Sequence, residues 1–302
     1  MEFTSRAFSG GEVHFVPSDA GNYVGAQLAG VRNTGGVDEF AQWGVQAPPY
    51  VFANLHAVSH VVPGFYDSGS PLRTTHLRDP EGPQTSFAVE SFMDELAAAT
   101  GADPIEFRLR HLDNARAKAV LAAAAEKAGW DKRPSPKRAN GSGEIVTGRG
   151  VGLSTRGGTF VGTIAEVEVN RRNGAARVTR FVCAHDCGLI INPEALRGTI
   201  AANLIQSMSR GMKEEVTFDR SNVTSVDWMT YPIARAQDIP AQVDIVLINH
   251  PELPSSGAGE PSSRATAAAI ANAIFDATGV RVRQTPLTPA RIKATLSARQ
   301  SV

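Results

Sequence analysis

Cysteine is scarce in this chain, and neither sign of charge dominates. Cys183 and Cys187 are the only cysteines among 302 residues, which is too few for a disulfide scaffold or a four-cysteine iron–sulfur cluster. Thirty Lys and Arg residues balance thirty Asp and Glu residues, so the chain has no electrostatic footprint for nucleic acid or anionic lipid. The composition argues against a binder of polyanions and leaves neutral or weakly charged small molecules open.

Long apolar segments are lacking as well. No apolar run approaches the ~20 residues that are needed to cross a bilayer. The first six residues do not show the basic-then-apolar pattern of a signal peptide. We therefore expect no signal peptide on this chain and no insertion of it into a membrane.

The first half of the chain changes character near residue 84. Residues 1–70 carry recurring glycine and proline with short alternating stretches, which indicates irregular and β structure. Apolar residues at helical spacing then predict three successive helices. These helices are expected at 84–100, from Asp103-Pro104 onward, and from about 115 to 129.

Residues 131–147 have the composition of a linker, and the 302 residues suffice for two core-forming units. We therefore expect one unit over 1–130, with an irregular or β start followed by helices, and a second over 148–302. Alternating β-branched residues in the second unit predict a hairpin of strands and one later strand. These strands are expected at 164–169, 176–184 and 242–248, with helices at 196–214 and 262–278. Because strands and helices mix without a steady βαβ alternation, the predicted fold class is α+β.

Cys183, His185 and Cys187 alternate along one of these strands, so all three side chains are expected on one face of the sheet. Such a set could suggest a metal site. Three ligands on one strand without a fourth make a poor zinc cage, however. Packing in the core is the favoured interpretation.

The segment Gly257-Ala258-Gly259-Glu260-Pro261 is a candidate site. Two glycines let the backbone approach a ligand closely, and the carboxylate follows where a helix begins, near free N–H groups and a positive dipole end. Taken alone, the motif is more often a helix N-cap turn. It is not a dinucleotide fingerprint, because Ser262 stands where the last glycine would be.

Four stretches in the same order resemble the molybdopterin-binding large subunit of the xanthine dehydrogenase and aldehyde oxidase family. They are Pro71–Gln84 with Ala88–Ala97, Asp103–Leu112, Ala165–Val169 leading to Asp186–Pro193, and Gly257–Pro261 continuing to Ile274. Together they span roughly residues 48–296. Within the family the chain is most similar to the branch of isoquinoline 1-oxidoreductase and nicotinate dehydrogenase. The resemblance implies the C-terminal part of that subunit and the fold of its second molybdopterin-binding domain.

The resemblance also implies the roles of the site residues. Glu260 would be the catalytic general base beside the molybdenum, where it takes the proton of a Mo–OH group that attacks an electron-poor carbon. This chemistry needs a carboxylate in a largely dry pocket. Gly257, Ala258 and Gly259 would approach the cofactor. Arg78 and Gln84 match a loop near the cofactor, although a surface arginine is an equally good interpretation of Arg78.

The family's cofactors and partners follow from the same resemblance. They are molybdenum–molybdopterin in its cytosine dinucleotide form, [2Fe–2S] clusters on a small partner subunit, and a cytochrome c as a further candidate partner. No protein side chain is expected to ligate the metal, because the pterin dithiolene holds it. The substrate would be a small N-heteroaromatic or aldehyde, hydroxylated with oxygen from water. The location would be cytoplasmic, or periplasmic through an exported partner.

Departures from the family pattern keep an alternative open. Residues 199–203 are Thr-Ile-Ala-Ala-Asn where the family often has Gln-x-Glu-Gly-Gly, and residues 78–81 are Arg-Asp-Pro-Glu, which adds two carboxylates to the loop. The family's large subunit is also far longer, so its N-terminal half would be missing or would be a separate chain. A non-catalytic scaffold or truncated remnant that binds no cofactor alone is the alternative function.

Overall fold

The computed structural model describes residues 48–55, 77–80, 82–137 and 143–300, without the side chains of the last two. Its helices and strands in chain order are α1 (Gly82–Ala99), α2 (Pro104–Arg110), α3 (Ala115–Ala128), β1 (Ile145–Arg156), β2 (Thr159–Asn170), β3 (Ala176–Asp186), α4 (Pro193–Met212), β4 (Gln242–Ile248), α5 (Pro261–Arg264), α6 (Thr266–Thr278) and α7 (Pro289–Gln300). This mixture of helices and a single mixed sheet confirms the α+β class. Most of the predicted irregular start, at 1–47 and 56–70, lies outside the described residues.

The three helices that precede the sheet lie where the sequence predicts them, although the first begins at Gly82, two residues before its predicted start. The Asp103 carboxylate accepts hydrogen bonds from the backbone N–H groups of Ile105 and Glu106, and Pro104 occupies the first turn. Gly129 ends α3 in the left-handed conformation that glycine adopts without strain. None of the described helices is long and apolar enough to cross a bilayer.

The sheet has the strand order β1-β2-β3-β4. β1 and β3 both run antiparallel to β2, whereas β4 runs parallel to β3. The predicted hairpin turn between β2 and β3 is confirmed, because the Asn170 side chain accepts from the N–H groups of Arg172 and Asn173, and Gly174 has a φ of 77°.

β1 is a strand that the sequence pattern did not predict, since glycine at 148, 150 and 152 weakens the strand signal. Those glycines let α6 lie directly on the sheet. A Cβ atom at Gly150 would lie 2.2 Å from the backbone oxygen of Ala269 and 2.2 Å from the backbone nitrogen of Ala273. The predicted helix at 262–278 is divided at Ala265, whose ψ of 3° separates α5 from α6.

Both faces of the sheet are covered. On one face, buried residues of α1–α3 such as Met93 and Leu121 share a hydrophobic cluster with Val151 and Ile164 of the sheet. On the other face, buried residues of α4 and α6 pack against residues such as Phe181. The helices N-terminal to 131–147 therefore pack directly on strands C-terminal to it. The division of the chain into two units at that point remains a prediction.

Candidate active site at the Glu260 turn

The turn before α5 is held against the ends of β2 and β3. The Ser256 backbone N–H donates to the Cys187 carbonyl at 2.8 Å, and the Thr159 hydroxyl donates to the Gly257 carbonyl at 2.8 Å. The Ser263 hydroxyl donates to the carbonyl of Glu260 itself at 2.6 Å. These bonds fix the backbone on both sides of the Glu260 side chain.

The two glycines of the turn face open space. Gly257 and Gly259 are exposed, and a Cβ atom built on either one would meet nothing within 4 Å. Packing within the described part of the chain therefore does not require glycine at these positions. A backbone without side chains beside a carboxylate suits the close approach of a ligand. Ala258 between them is partly buried against the core.

Two contacts with described residues orient the Glu260 carboxylate. One oxygen, Oε2, lies 2.6 Å from Arg156 Nη2 in an ion pair, and the other, Oε1, accepts the backbone N–H of Asp79 at 3.1 Å. The Glu260 side chain is 33% exposed and that of Arg156 is 31% exposed. The described residues thus hold the carboxylate but do not enclose it in the largely dry pocket that the predicted chemistry needs.

Asp79 links this carboxylate to a buried ion pair. Its side chain accepts from Arg264 at 2.7 and 3.1 Å, and Arg156 Nη1 lies 3.4 Å from the same carboxylate. Asp79 is 1% exposed and Arg264 is 4% exposed. Asp79 also has a φ of 56°, which an aspartate adopts only at a cost.

Gly82, the first residue of α1, lies directly against the Asp79–Arg264 ion pair. A Cβ atom at residue 82 would lie 2.0 Å from Asp79 Oδ2 and 2.4 Å from Arg264 Nε. A side chain at residue 82 would therefore displace the Asp79–Arg264 ion pair.

The loop that carries Arg78 lies against the Glu260 turn. The contact is made by Asp79, the residue after Arg78. The carbonyl of Arg78 accepts from Arg210 Nη1 at 2.8 Å, and the exposed Gln84 donates to the Pro80 carbonyl at 2.8 Å. No hydrogen bond of the described residues joins the Arg78 or Gln84 side chain to Glu260. Their roles toward a cofactor remain predictions.

Sequence reasoning missed three charged residues of the site. No motif in the sequence indicated Arg156, Arg264 or the ion-paired role of Asp79. The only signal was the pair of added carboxylates in the loop at 78–81, of which Asp79 is one. Arg156 and Arg264 lie at the end of β1 and in α5.

Arg210 offers chemistry that suits an anionic group. Its Nε and Nη2 atoms are buried and have no hydrogen-bond partner in the described part of the chain. Burial, opposed by the nearby carboxylate of Glu214, lowers the pKa of the Arg210 guanidinium. A cation with spare N–H groups near the Asp79 loop fits a phosphate-bearing cofactor.

The Cys183, His185 and Cys187 side chains are buried, as the core interpretation predicts. Burial raises the pKa of the Cys183 thiol to about 12 and lowers the pKa of His185 to about 4. Neither ring nitrogen of His185 has a hydrogen-bond partner among the described residues. Within the described ranges, no group of three or more His, Cys, Asp or Glu side chains could hold a metal ion.

The comparisons with known proteins agree on one protein family. A family model described as a molybdopterin cofactor-binding domain matches residues 93–240, which end before the Glu260 turn. The chain is 39% identical over 257 residues to a nicotinate dehydrogenase subunit of Pseudomonas putida, covering 82% of this chain. It is 29% identical over 208 residues to the beta subunit of isoquinoline 1-oxidoreductase from Brevundimonas diminuta, covering 68% of this chain.

The chain is short beside these relatives, since it spans 21% of the first protein and 26% of the second. Among solved structures, the aldehyde oxidoreductase from Desulfovibrio gigas matches with a TM-score of 0.63 at 17% identity. That match covers 74% of this chain and 42% of the other. At this identity the likeness shows the fold alone.

Proposed function

Because the chain belongs to the molybdopterin-binding subunits of the xanthine dehydrogenase family, we propose that it forms the base-bearing part of a molybdenum hydroxylase. The observation that carries this proposal is the Glu260 turn. A partly exposed carboxylate stands beside two glycines that face open space, and Arg156 and the Asp79 N–H group fix its orientation. Such an arrangement suits a general base that acts on a ligand outside the chain's own core.

The residues present fit a molybdopterin cofactor on one side of this turn. The backbone of Gly257, Ala258 and Gly259 would lie along it, with Arg210 and Arg78 as the nearby cations. When bound, the cofactor supplies the two-electron oxidation of the substrate carbon. Glu260 takes the proton from the water-derived oxygen that becomes the new hydroxyl, and the fixed carboxylate keeps its lone pairs aimed at that proton.

The names of the relatives support the substrate class. The names nicotinate dehydrogenase and isoquinoline 1-oxidoreductase point to an N-heteroaromatic substrate, with an aldehyde as the second class. The cytosine dinucleotide form of the cofactor and a small [2Fe–2S] subunit that receives the electrons belong to the same proposal. A cytochrome c would be the further acceptor.

Assembly with the rest of the molybdopterin-binding subunit is part of the proposal. Large apolar side chains between α4 and β4 are exposed, with Val226, Trp228 and Met229 at 75, 71 and 80%. Exposed apolar residues in a group of this kind mark a surface that another protein covers. We expect that covering the domain also dries the surroundings of Glu260.

The experiment is the Glu260→Gln variant in the assembled, cofactor-loaded enzyme. The amide keeps the size of the side chain but cannot accept the proton, so kcat should fall at least ~10²-fold, the lower range for general-base catalysis. Molybdenum content should stay at the wild-type level, since the change fills the same space. Glu252→Gln is the matched control, because Glu252 is an exposed carboxylate whose contact is the His250 ring. If Glu260→Gln keeps more than about a tenth of wild-type turnover at full molybdenum occupancy, Glu260 is not the base.

A non-catalytic scaffold is the second candidate. The observation that supports the scaffold is that Glu260 already forms an ion pair with Arg156 at a partly exposed position. Molybdenum and pterin analysis of the native complex separates the two candidates. One pterin per complex supports the hydroxylase, and a stable complex without molybdenum supports the scaffold.

A further inference from the structure

We propose that Asp79 is a positioning residue for Glu260, and that its buried ion pair with Arg264 is the device that holds it. Asp79 acts through its backbone N–H, which donates to Glu260 Oε1 at 3.1 Å. The inference rests on the proposed role of Glu260 as the base.

The backbone of Asp79 needs support to stay where it is. A φ of 56° is the region that glycine adopts freely and that other residues occupy at a cost. Glycine at this position would donate the same N–H group without strain. Aspartate tolerates this region better than most residues but still occupies it at a cost, and the two bonds from Arg264 at 2.7 and 3.1 Å hold its side chain there.

The ion pair connects the loop to the short helix that follows the base. Arg264 lies in α5, which begins directly after Glu260. The N–H of Asp79 contacts Glu260 and its carboxylate contacts Arg264. The loop is thus attached at two points, to the residue before α5 and to the last residue of α5, and the two contacts together restrict both its distance and its direction.

Arg156 couples the two carboxylates directly. Its Nη1 lies 3.4 Å from Asp79 Oδ1 and its Nη2 lies 2.6 Å from Glu260 Oε2. Removing the Asp79 charge would remove the two bonds that Asp79 accepts from buried Arg264 and would weaken its contact with Arg156. Breaking a buried ion pair is strongly destabilising, and here the loss falls on the residues that adjoin Glu260. We therefore expect the geometry at Glu260 to change.

The test compares Asp79→Asn with Asp276→Asn in the assembled enzyme. Asp276 is the matched control because it is also fully buried and holds an arginine, Arg133, by two bonds at 2.6 and 2.7 Å. It lies near the far end of α6 from Glu260. Both variants should lower the melting temperature, whereas only Asp79→Asn should lower kcat, by about 10- to 100-fold, as expected for a displaced catalytic group. KM should change by less than about twofold, and molybdenum content should not change.

Two further measurements isolate the positioning role. In Asp79→Asn/Glu260→Gln, kcat should be no lower than in Glu260→Gln alone, because a residue that acts through Glu260 has nothing left to position. A crystal structure of Asp79→Asn should show the Glu260 carboxylate moved from its wild-type position, and that of Asp276→Asn should not. If Asp79→Asn does not assemble, Arg264→Lys keeps the charge without the paired bonds and should show the same loss of kcat.

Wild-type kcat in Asp79→Asn, or a loss of activity only in proportion to lost molybdenum, would overturn the positioning role. Additive losses in the double variant would overturn it too. If Asp79→Asn is fully active while Glu260→Gln is inactive, the positioning role alone fails and the proposed function stands. If Glu260→Gln is active, the base assignment fails and the positioning role fails with it.

Discussion

At the scale of single residues, burial sets the protonation of β3 side chains. Desolvation raises the pKa of Cys183 to about 12 and lowers the pKa of His185 to about 4. At neutral pH the thiol therefore keeps its proton and the imidazole stays uncharged. A neutral buried thiol is a poor nucleophile and a poor metal ligand, which agrees with a place in the core.

His185 should make the protein less stable in mild acid. Its folded-state pKa of about 4 lies below the ordinary value of 6.5. Between these pH values the unfolded chain binds a proton that the folded chain does not, so stability is lost as the pH falls from about 6.5 to about 4. This difference between the folded and unfolded pKa corresponds to about 3 kcal/mol in the free energy of unfolding.

His185→Phe removes this titration, so its melting temperature should fall less steeply between pH 7 and pH 4.5. The measurement is a thermal scan of the assembled protein across that range. Thr163→Val, at a buried position of the same sheet that does not titrate, serves as the control and should keep the wild-type pH dependence. The same steepness in His185→Phe and wild type would show that His185 does not cause the acid sensitivity.

At the scale of elements, contact between β1 and α6 depends on small residues on both sides. Gly148 and Gly150 face the backbone of α6 at alanines 269, 273 and 277. The close approach lets the apolar helix α6 lie across the sheet and places α5, with Glu260 before it, at the end of β1. The glycines of β1 thus help to determine where the candidate base, Glu260, lies.

Gly150→Ala should therefore be strongly destabilising. The added methyl group would lie 2.2 Å from two backbone atoms of α6, which cannot move aside as a flexible side chain could. We expect a loss of at least about 3 kcal/mol, at the upper end of what overpacking costs. Gly198→Ala is the control, because Gly198 lies within α4 and a Cβ there meets nothing within 4 Å. It should be neutral or stabilising by up to about 1 kcal/mol. Chemical denaturation of the assembled protein compares the two, and equal stabilities would contradict this packing.

At the scale of the whole molecule, a group of large apolar side chains stays exposed to water and is not covered by other described residues. Phe218, Val226, Trp228 and Met229 are all more than half exposed, and they fall within one stretch between α4 and β4. The chain spans 21% of the length of the nicotinate dehydrogenase relative. This apolar stretch is the surface that we expect the remaining part of the molybdopterin-binding protein to cover.

Expressed alone, the chain should aggregate or pack loosely, because this apolar stretch faces water. Size-exclusion chromatography with light scattering measures the state of the chain. Trp228→Ser/Met229→Ser should reduce aggregation of the isolated chain and weaken its assembly with the rest of the molybdopterin-binding protein. Ile145→Ser, at an exposed apolar residue at the start of β1, should change neither. A sharp, cooperative, monomeric unfolding transition of the wild-type chain in isolation would contradict the expectation.

Much of the fold follows from short-range signals in the sequence. The Asp103-Pro104 start of α2, the Gly129 end of α3 and the turn between β2 and β3 depend on neighbouring residues, so their patterns predict them. The Glu260 turn could also be located from its glycines and from its resemblance to a family motif. In each case the physical cause lies within a few residues of the feature.

Only the tertiary structure decided what surrounds Glu260. Its contact with Asp79 joins residues 181 positions apart, and Arg156 reaches it from the end of β1. The glycines of β1 weaken its strand signal, yet it pairs with β2 along its whole length and those glycines let α6 pack against it. Contacts of this kind depend on how whole elements pack, and no local pattern in the sequence encodes which distant side chains that packing brings together.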